Sequence, residues 1–225
     1  MRAFWIIGSL IILFISCKEE PKANMPDSEN TRQDLPKKEG LSAVQKEIVS
    51  FADSTFSHNS DMNTLFVFKK IDDQGTITDI DMNEGIRLYK ELIKSNTVDA
   101  LPIFEVKNTD TAILSIRGKG FGGAIWAKVL IDRKTLEIKN IEFDHKSETY
   151  GYGSAMTQRT FEDQFVGSKI DLEYHSFTLQ QNIEKRIDDG VIIDGISGAT
   201  MTSAAAVQMV NLGLQKYKGY LANDR

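Results

Sequence analysis

The chain has 225 residues, is 41% hydrophobic and 26% charged, and carries a formal net charge of −5. That balance suits a globular protein with a sizeable core, and neither the sign of the charge nor any basic cluster suits a nucleic-acid partner. Cys17 is the only cysteine, so the folded part has no disulfide, cysteine-ligated metal or cysteine nucleophile available to it.

Residues 1–16 read as a targeting segment: Arg2 supplies a short positive region, and Ala3 to Ser16 is an apolar run shorter than the ~20 residues a membrane span needs. The run ends in Leu13-Phe14-Ile15-Ser16-Cys17, which resembles the lipobox of bacterial lipoproteins and implies lipidation of Cys17 after cleavage. An uncleaved anchor helix is the alternative, and Lys18-Glu19-Glu20 would have to end it. The same triplet resembles surface-export signals of some Gram-negative lipoproteins, so the periplasmic side of a membrane and the cell surface both stay open. Residues 17–40 hold Pro21, Pro26 and Pro36 among charged and small polar residues and read as a disordered tether.

Leu41, Val44, Ile48 and Phe51 recur at helical spacing and predict an amphipathic helix over residues 42–56. Thr64 to Lys69 reads as a strand, and Met82, Ile86, Tyr89 and Ile93 predict a second helix capped by Asp79 or Asp81. Residues 41–100 therefore read as an N-terminal α/β extension ahead of a domain over 101–225. From Leu101 the pattern turns to strands, at Leu101–Val106, at Thr111–Ile116, and where Ile125, Ala127, Val129 and Ile131 alternate. A turn at Asp132–Thr135 leads into Leu136-Glu137-Ile138, and the apolar phase then slips, which predicts a β-bulge near Lys139-Asn140. A helix is expected from near Ser154 to Phe165. Val191–Ile193 reads as a strand, and Val207, Val210, Leu214, Tyr217 and Leu221 form one apolar stripe on a C-terminal helix. The fold class is α+β, with a mostly antiparallel sheet packed with helices.

The segment with most chemistry is Asp194-Gly195-Ile196-Ser197-Gly198-Ala199-Thr200-Met201-Thr202-Ser203, between that strand and that helix. The first N–H groups of a helix lack intrahelical partners and sit at the positive end of its dipole, so this turn is a natural phosphate site. The plainer reading is a capped helix start. Its capping-box form fails, because no Glu or Gln stands three residues after Ser197, Thr200, Thr202 or Ser203.

The run resembles the attachment motif of the FMN-binding domain family, which includes FMN-bearing subunits of the sodium-translocating NADH:quinone reductase and of the related Rnf complex. In that family the threonine of Ser-Gly-Ala-Thr esterifies the FMN phosphate. The resemblance therefore implies covalent FMN on Thr200, with Ser197, Gly198, Ala199 and Thr202 beside it. His145-Lys146-Ser147-Glu148-Thr149-Tyr150-Gly151-Tyr152-Gly153 resembles the family's Glu-Thr-Pro-Gly-Leu-Gly element. It implies that Glu148, Thr149, Gly151 and Gly153 line the flavin ring, with Tyr152 in the leucine's place and Tyr150 in the proline's. Arg117–Trp126 resembles the family's glycine-rich turn and strand. The family usually shows an aromatic residue where Gly122 stands, and Phe121 and Trp126 are the two candidates to replace it. As a phosphate loop this segment fails, since no Gly-Lys-Ser/Thr ending follows.

Asp194 opens the motif, either as a feature read by an FMN transferase that uses FAD or as a residue orienting the turn by accepting backbone N–H bonds. His145, His58 and His175 have no ligand spacing, so no metal is expected. The resemblance runs from Leu101 to Arg225 and implies an exported, membrane-anchored flavoprotein that carries electrons between unidentified redox partners. No nucleophile or general-base dyad is visible, and a carrier is preferred to a substrate-converting enzyme. The alternative is a component of a sodium-translocating quinone reductase or Rnf-type complex, in the place of its FMN-bearing subunit. A non-redox binding module without flavin is the second alternative.

Overall fold

The computed structural model describes residues 41–57, 60–95, 97–180 and 190–223. The expectations for residues 1–40, Cys17 included, and for His58 lie outside the described residues. Among the described residues no helix is long and apolar enough to cross a membrane.

The chain first forms helix α1 (Ala43–Ala52) and the single-turn helix α2 (Met62–Leu65). Strands β1 (Phe66–Asp72) and β2 (Ile77–Asp79) follow, then helix α3 (Met82–Lys94). Asp81, one of the two expected caps, accepts the Glu84 N–H at 2.8 Å. The strand expected from Thr64 begins two residues later and runs further. The Asp61 carboxylate accepts the Asn63 N–H at 2.9 Å and winds the intervening residues into a helical turn.

Strands β3 (Ala100–Val106), β4 (Thr111–Lys119), β5 (Ala124–Asp132) and β6 (Ile138–His145) complete one antiparallel sheet in the order β2-β1-β3-β4-β5-β6. β1 and β3 pair from Phe66↔Val106 to Asp72↔Ala100, so residues on both sides of position 100 share that sheet. The predicted bulge is present: Leu130 pairs with Asn140 and Ile131 with Ile138, leaving Lys139 as the extra residue.

Both faces of the sheet are covered. Phe66, Phe68, Phe104, Ile113 and Leu130 face α1 and α3, where Ile48, Val49, Phe51 and Tyr89 meet them. Leu114, Ile116, Ile125, Ala127, Val129 and Ile131 point the other way, toward helix α5 (Thr200–Gln215), helix α6 (Lys218–Ala222) and a Phe143, Phe161, Phe165 and Phe177 cluster. The alternation read in β5 thus separates two cores, each buried aliphatic side chain contributing about 1.5–3 kcal/mol.

Two expectations are corrected on this second face. The helix expected from Ser154 to Phe165 is broken into a 3-10 turn (Gly153–Thr157) and the short helix α4 (Arg159–Glu162). Gln158 between them is extended, at φ −92° and ψ 144°. In one continuous helix Met156 and Phe161, five positions apart, would diverge in direction; the break lets both enter the same core. The second correction concerns α5, which buries far more than one stripe. It lies on β4 on one side and on the strand β7 (Phe177–Leu179) on the other. There the Asn211 side chain accepts the Phe177 N–H at 3.1 Å and donates to the Phe177 carbonyl at 2.8 Å.

Candidate cofactor site

Strand β8 (Val191–Ile193) runs parallel to β7 and delivers the chain to the turn before α5. Gln164, thirty positions upstream, holds the start of that turn: its Oε1 accepts the Asp194 N–H at 2.6 Å and its Nε2 donates to the Asp194 carbonyl at 3.5 Å. It is the main chain of Asp194 that the fold grips, and its side chain is exposed. Ser203 closes the turn from the other end, its Oγ accepting the Ile196 N–H at 2.9 Å and donating to the Ala199 carbonyl at 3.0 Å. Gly198 between them sits at φ +72°, and a Cβ there would lie 2.9 Å from the Tyr152 ring. A side chain would therefore be strained and in collision at once.

Thr200 is the first residue of α5, exposed, and no side chain among the described residues caps the helix. The flanking Ala199 has φ −133° and ψ 41°, outside the extended region in which capping residues work. The Ser203 N–H reaches the Ala199 carbonyl at 3.0 Å, and the N–H groups ahead of it have no intrahelical acceptor. The plainer reading of the motif as a side-chain-capped start is not what the chain does.

Glu148 ties this turn to the glycine-rich one. It is buried, accepting the Gly122 N–H on Oε1 at 2.7 Å and the Thr202 hydroxyl on Oε2 at 2.7 Å. The Glu148 N–H in turn donates to Nδ1 of His145 at 3.2 Å, which gives that histidine a structural duty. Ser147 Oγ donates to the Gly122 carbonyl at 2.7 Å. Gly122 is so close to this loop that a Cβ would lie 2.2 Å from the Ser147 carbonyl oxygen. An aromatic side chain at that position is incompatible with the turn as folded. Of the two candidate replacements, Phe121 faces the site and is 75% exposed, while Trp126 lines a separate groove.

These elements enclose a cavity of about 350 Å³. Glu148, Thr149, Tyr152, Gly153, Gly198, Ala199, Thr200 and Thr202, all expected from the sequence, line it. Ser197 and Gly151 are exposed beside the lining, and Tyr150 stands outside it, 94% exposed. Two features of the wall are not read from the sequence: Met201 as a contributor, and Glu148 as a bridge between the two turns. The first has a signal, a large apolar residue at the second position of a helix; the second depends on a contact across 54 residues and has none. No cationic side chain is among the described lining residues, so the attraction for an anion there comes from the helix N–H groups and dipole.

Among the described residues, the carboxyl raised furthest lies elsewhere. Burial pushes the Glu162 carboxyl up to about 7, against the opposing hydrogen bond from the Phe143 N–H at 2.9 Å and the charge of Arg159. Among the described residues no cluster of His, Cys, Asp and Glu is arranged to hold a metal ion.

Residues 120–215 match the FMN-binding domain family, a range that contains the glycine turn, Glu148 and Thr200. The Na(+)-translocating NADH-quinone reductase component NqrC from Vibrio alginolyticus is 27% identical over 113 residues, 49% of this chain and 43% of that protein. Its counterpart from Vibrio vulnificus is 29% identical, over 45% of this chain and 41% of its own length. The chain thus spans less than half of these two relatives. The Vibrio campbellii counterpart is 23% identical across 84% of this chain and 77% of that protein. Among solved structures, NqrC from Parabacteroides distasonis superposes with a TM-score of 0.64 at 22% identity, covering 79% of this chain and 91% of that one. NqrC from Shewanella oneidensis gives 0.60 at 15%, covering 80% and 99%. At those identities the superpositions establish the α+β fold, and over residues 120–215 the chain matches the FMN-binding domain family.

Proposed function

We propose that the protein is an exported, membrane-anchored flavoprotein that carries FMN as a phosphoester on Thr200 and passes electrons between redox partners. The observation that carries this reading is the position of Thr200: an exposed hydroxyl at the uncapped start of a sixteen-residue helix, in the wall of a cavity bounded by Phe121 and Tyr152. A phosphate esterified there keeps a negative charge, and the unpartnered N–H groups of the first turn are oriented to receive it. FMN supplies the redox chemistry of its ring system, and the chain fixes its position and surroundings. Tyr152 and Phe121 offer aromatic faces to a flat ring. Glu148 keeps the glycine turn and the helix start at a fixed separation, so the walls do not drift.

The attachment is assigned to an FMN transferase that uses FAD, with the exposed Asp194 available for its recognition. Lipidation of Cys17 would anchor the chain on the periplasmic side of a membrane or at the cell surface, since several acyl chains together hold where a single one is marginal. A tether over residues 17–40 would let the domain range on the order of 75 Å, at ~3.3 Å per residue.

A second reading is favoured by the relatives: the protein is an NqrC-like component of a quinone reductase or Rnf-type complex. The likeness of fold over nearly the whole of two solved NqrC chains supports it. The two readings share the flavin on Thr200 and differ in the anchor and in the company the chain keeps.

The test is intact-mass spectrometry of the full chain co-expressed with an FMN transferase, followed by peptide mapping, in the wild type and in Thr200→Ala. The expected result is an increment of one FMN less water on the Thr200 peptide and none in the variant. An unmodified Thr200, with the transferase active on a control protein, would leave a binding module without flavin. Co-purifying membrane proteins of such a complex in native extraction would select the second reading over the first.

A further inference from the structure

Across the glycine turn from the cofactor cavity lies a larger groove, of about 1030 Å³. It exists because β3 and β4 part company. They pair from Glu105↔Ala112 to Ile103↔Leu114, while β4 continues alongside β5 as far as Lys119↔Ala124. The Tyr217 hydroxyl enters where they separate, accepting the Ser115 N–H at 3.2 Å and facing the Ser115 and Pro102 carbonyls at 2.8 and 3.2 Å. The opening is walled by the outer half of β4 on one side and the end of α3 on the other.

Its chemistry is distinct from that of the cofactor cavity. Lys94, Lys119, Lys146 and Lys216 stand around it, the Arg117 guanidinium reaches across to the Ile93 carbonyl at 2.5 Å, and no carboxylate is among the described lining residues. None of the four lysines forms an ion pair among the described residues, in a chain whose net charge is −5. The four lysines, gathered without counter-charges among the described residues, repel one another, and an anion relieves that repulsion. The floor is apolar, with Leu92, Leu101 and Ile116, and Trp126 is half-buried in the wall. Ser115 also lines the groove, and its Oγ is fully buried with no hydrogen-bond partner among the described residues.

We propose that this groove binds an anionic amphiphilic phosphate: a molecule with a net negative phosphate group for the lysine rim and an apolar or aromatic body for the floor and Trp126. A phospholipid and a soluble nucleotide share this chemistry.

The experiment uses the full chain carrying Trp5→Phe, in which Trp126 is the only tryptophan. Its fluorescence is followed while short-chain, monomeric dihexanoylphosphatidate, ADP, inorganic phosphate or zwitterionic dihexanoylphosphatidylcholine is added. The expected result is a saturable change with phosphatidate or ADP, with the tighter of the two identifying the source. Added salt should weaken it, and the Lys119→Glu, Lys146→Glu double variant should weaken it about tenfold or more, a loss of about 1.4 kcal/mol per factor of ten. A second pair, Lys94→Glu with Lys216→Glu, tests the same rim at the helix ends, away from the glycine turn, and should give a similar loss with unchanged circular dichroism. A response as tight to phosphatidylcholine or to inorganic phosphate alone, no saturable response to either phosphate-bearing amphiphile, or an affinity indifferent to both charge reversals would overturn the proposal.

Discussion

The helices of residues 41–94 and the helix of the cofactor site begin in opposite ways. α1 starts with a reciprocal capping box in which Ser42 and Gln45 satisfy each other's backbone, α2 is capped by Asp61, and α3 by Asp81. α5, the longest of them, starts at Ala199 with no cap and an exposed threonine. A cap contributes about 1 kcal/mol; α5 goes without one, as the short helices α4 and α6 do, and its sixteen residues leave a full helix dipole at the open N–H groups. What stabilises the α5 start instead is tertiary: Gln164 on one flank, Glu148 on the other, and Ser203 folding the turn back onto the helix.

Beyond the complete loss of covalent flavin expected in Thr200→Ala, whose exposed side chain should leave stability unchanged within about 0.5 kcal/mol, the largest effect should come from removing the tertiary brace. Glu148→Ala strands the part-buried Gly122 N–H and the buried Thr202 hydroxyl and should cost roughly 1–3 kcal/mol in urea unfolding, with flavin loading falling as the two turns separate. An unchanged midpoint would show that the uncapped start stands without it.

Glu162 comes next. Its folded pKa of about 7 lies above the ordinary 4.5, so between those values the folded chain holds the proton more tightly than the unfolded one. Stability from this group is therefore full below about 4.5 and lost as pH rises toward 7 and beyond, by about 3 kcal/mol. Glu162→Gln keeps an acceptor for the Phe143 N–H and should flatten unfolding midpoints across that window; the same pH slope in the variant would assign the loss to other groups.

The smallest effects test the comparison at its source. Ser42→Ala should cost about 1 kcal/mol, whereas Ala199→Ser should gain nothing, because ψ 41° at Ala199 does not aim a hydroxyl at the helix N–H groups. A clear gain in the second variant would mean that a cap was merely missing.

Much of the fold was legible because it rests on local patterns. The alternation of β5, the slip at Lys139, the apolar spacing of α1 and α3 and the cap at Asp81 each follow from a few adjacent residues. The helix over residues 154–165 was not, because the break at Gln158 answers to where Phe143, Phe165 and Phe177 sit and not to any breaker in the segment itself. At the site, the Ser-Gly-Ala-Thr turn could be read from its residues and its resemblance. The exclusion of a side chain at Gly122 could not, since it follows from the Ser147 carbonyl of another loop.

By itself, then, the sequence determined an α+β chain with an anion-ready turn at Thr200, since periodicity and the strand-to-helix junction are properties of neighbouring residues. Only the tertiary structure decided that the turn would be braced by Glu148 and Gln164, that Phe121 and not Trp126 would face it, and that the parting of β3 from β4 would open a second, basic groove. Those outcomes depend on contacts between residues tens of positions apart. Packing selects such contacts, and no local pattern encodes them.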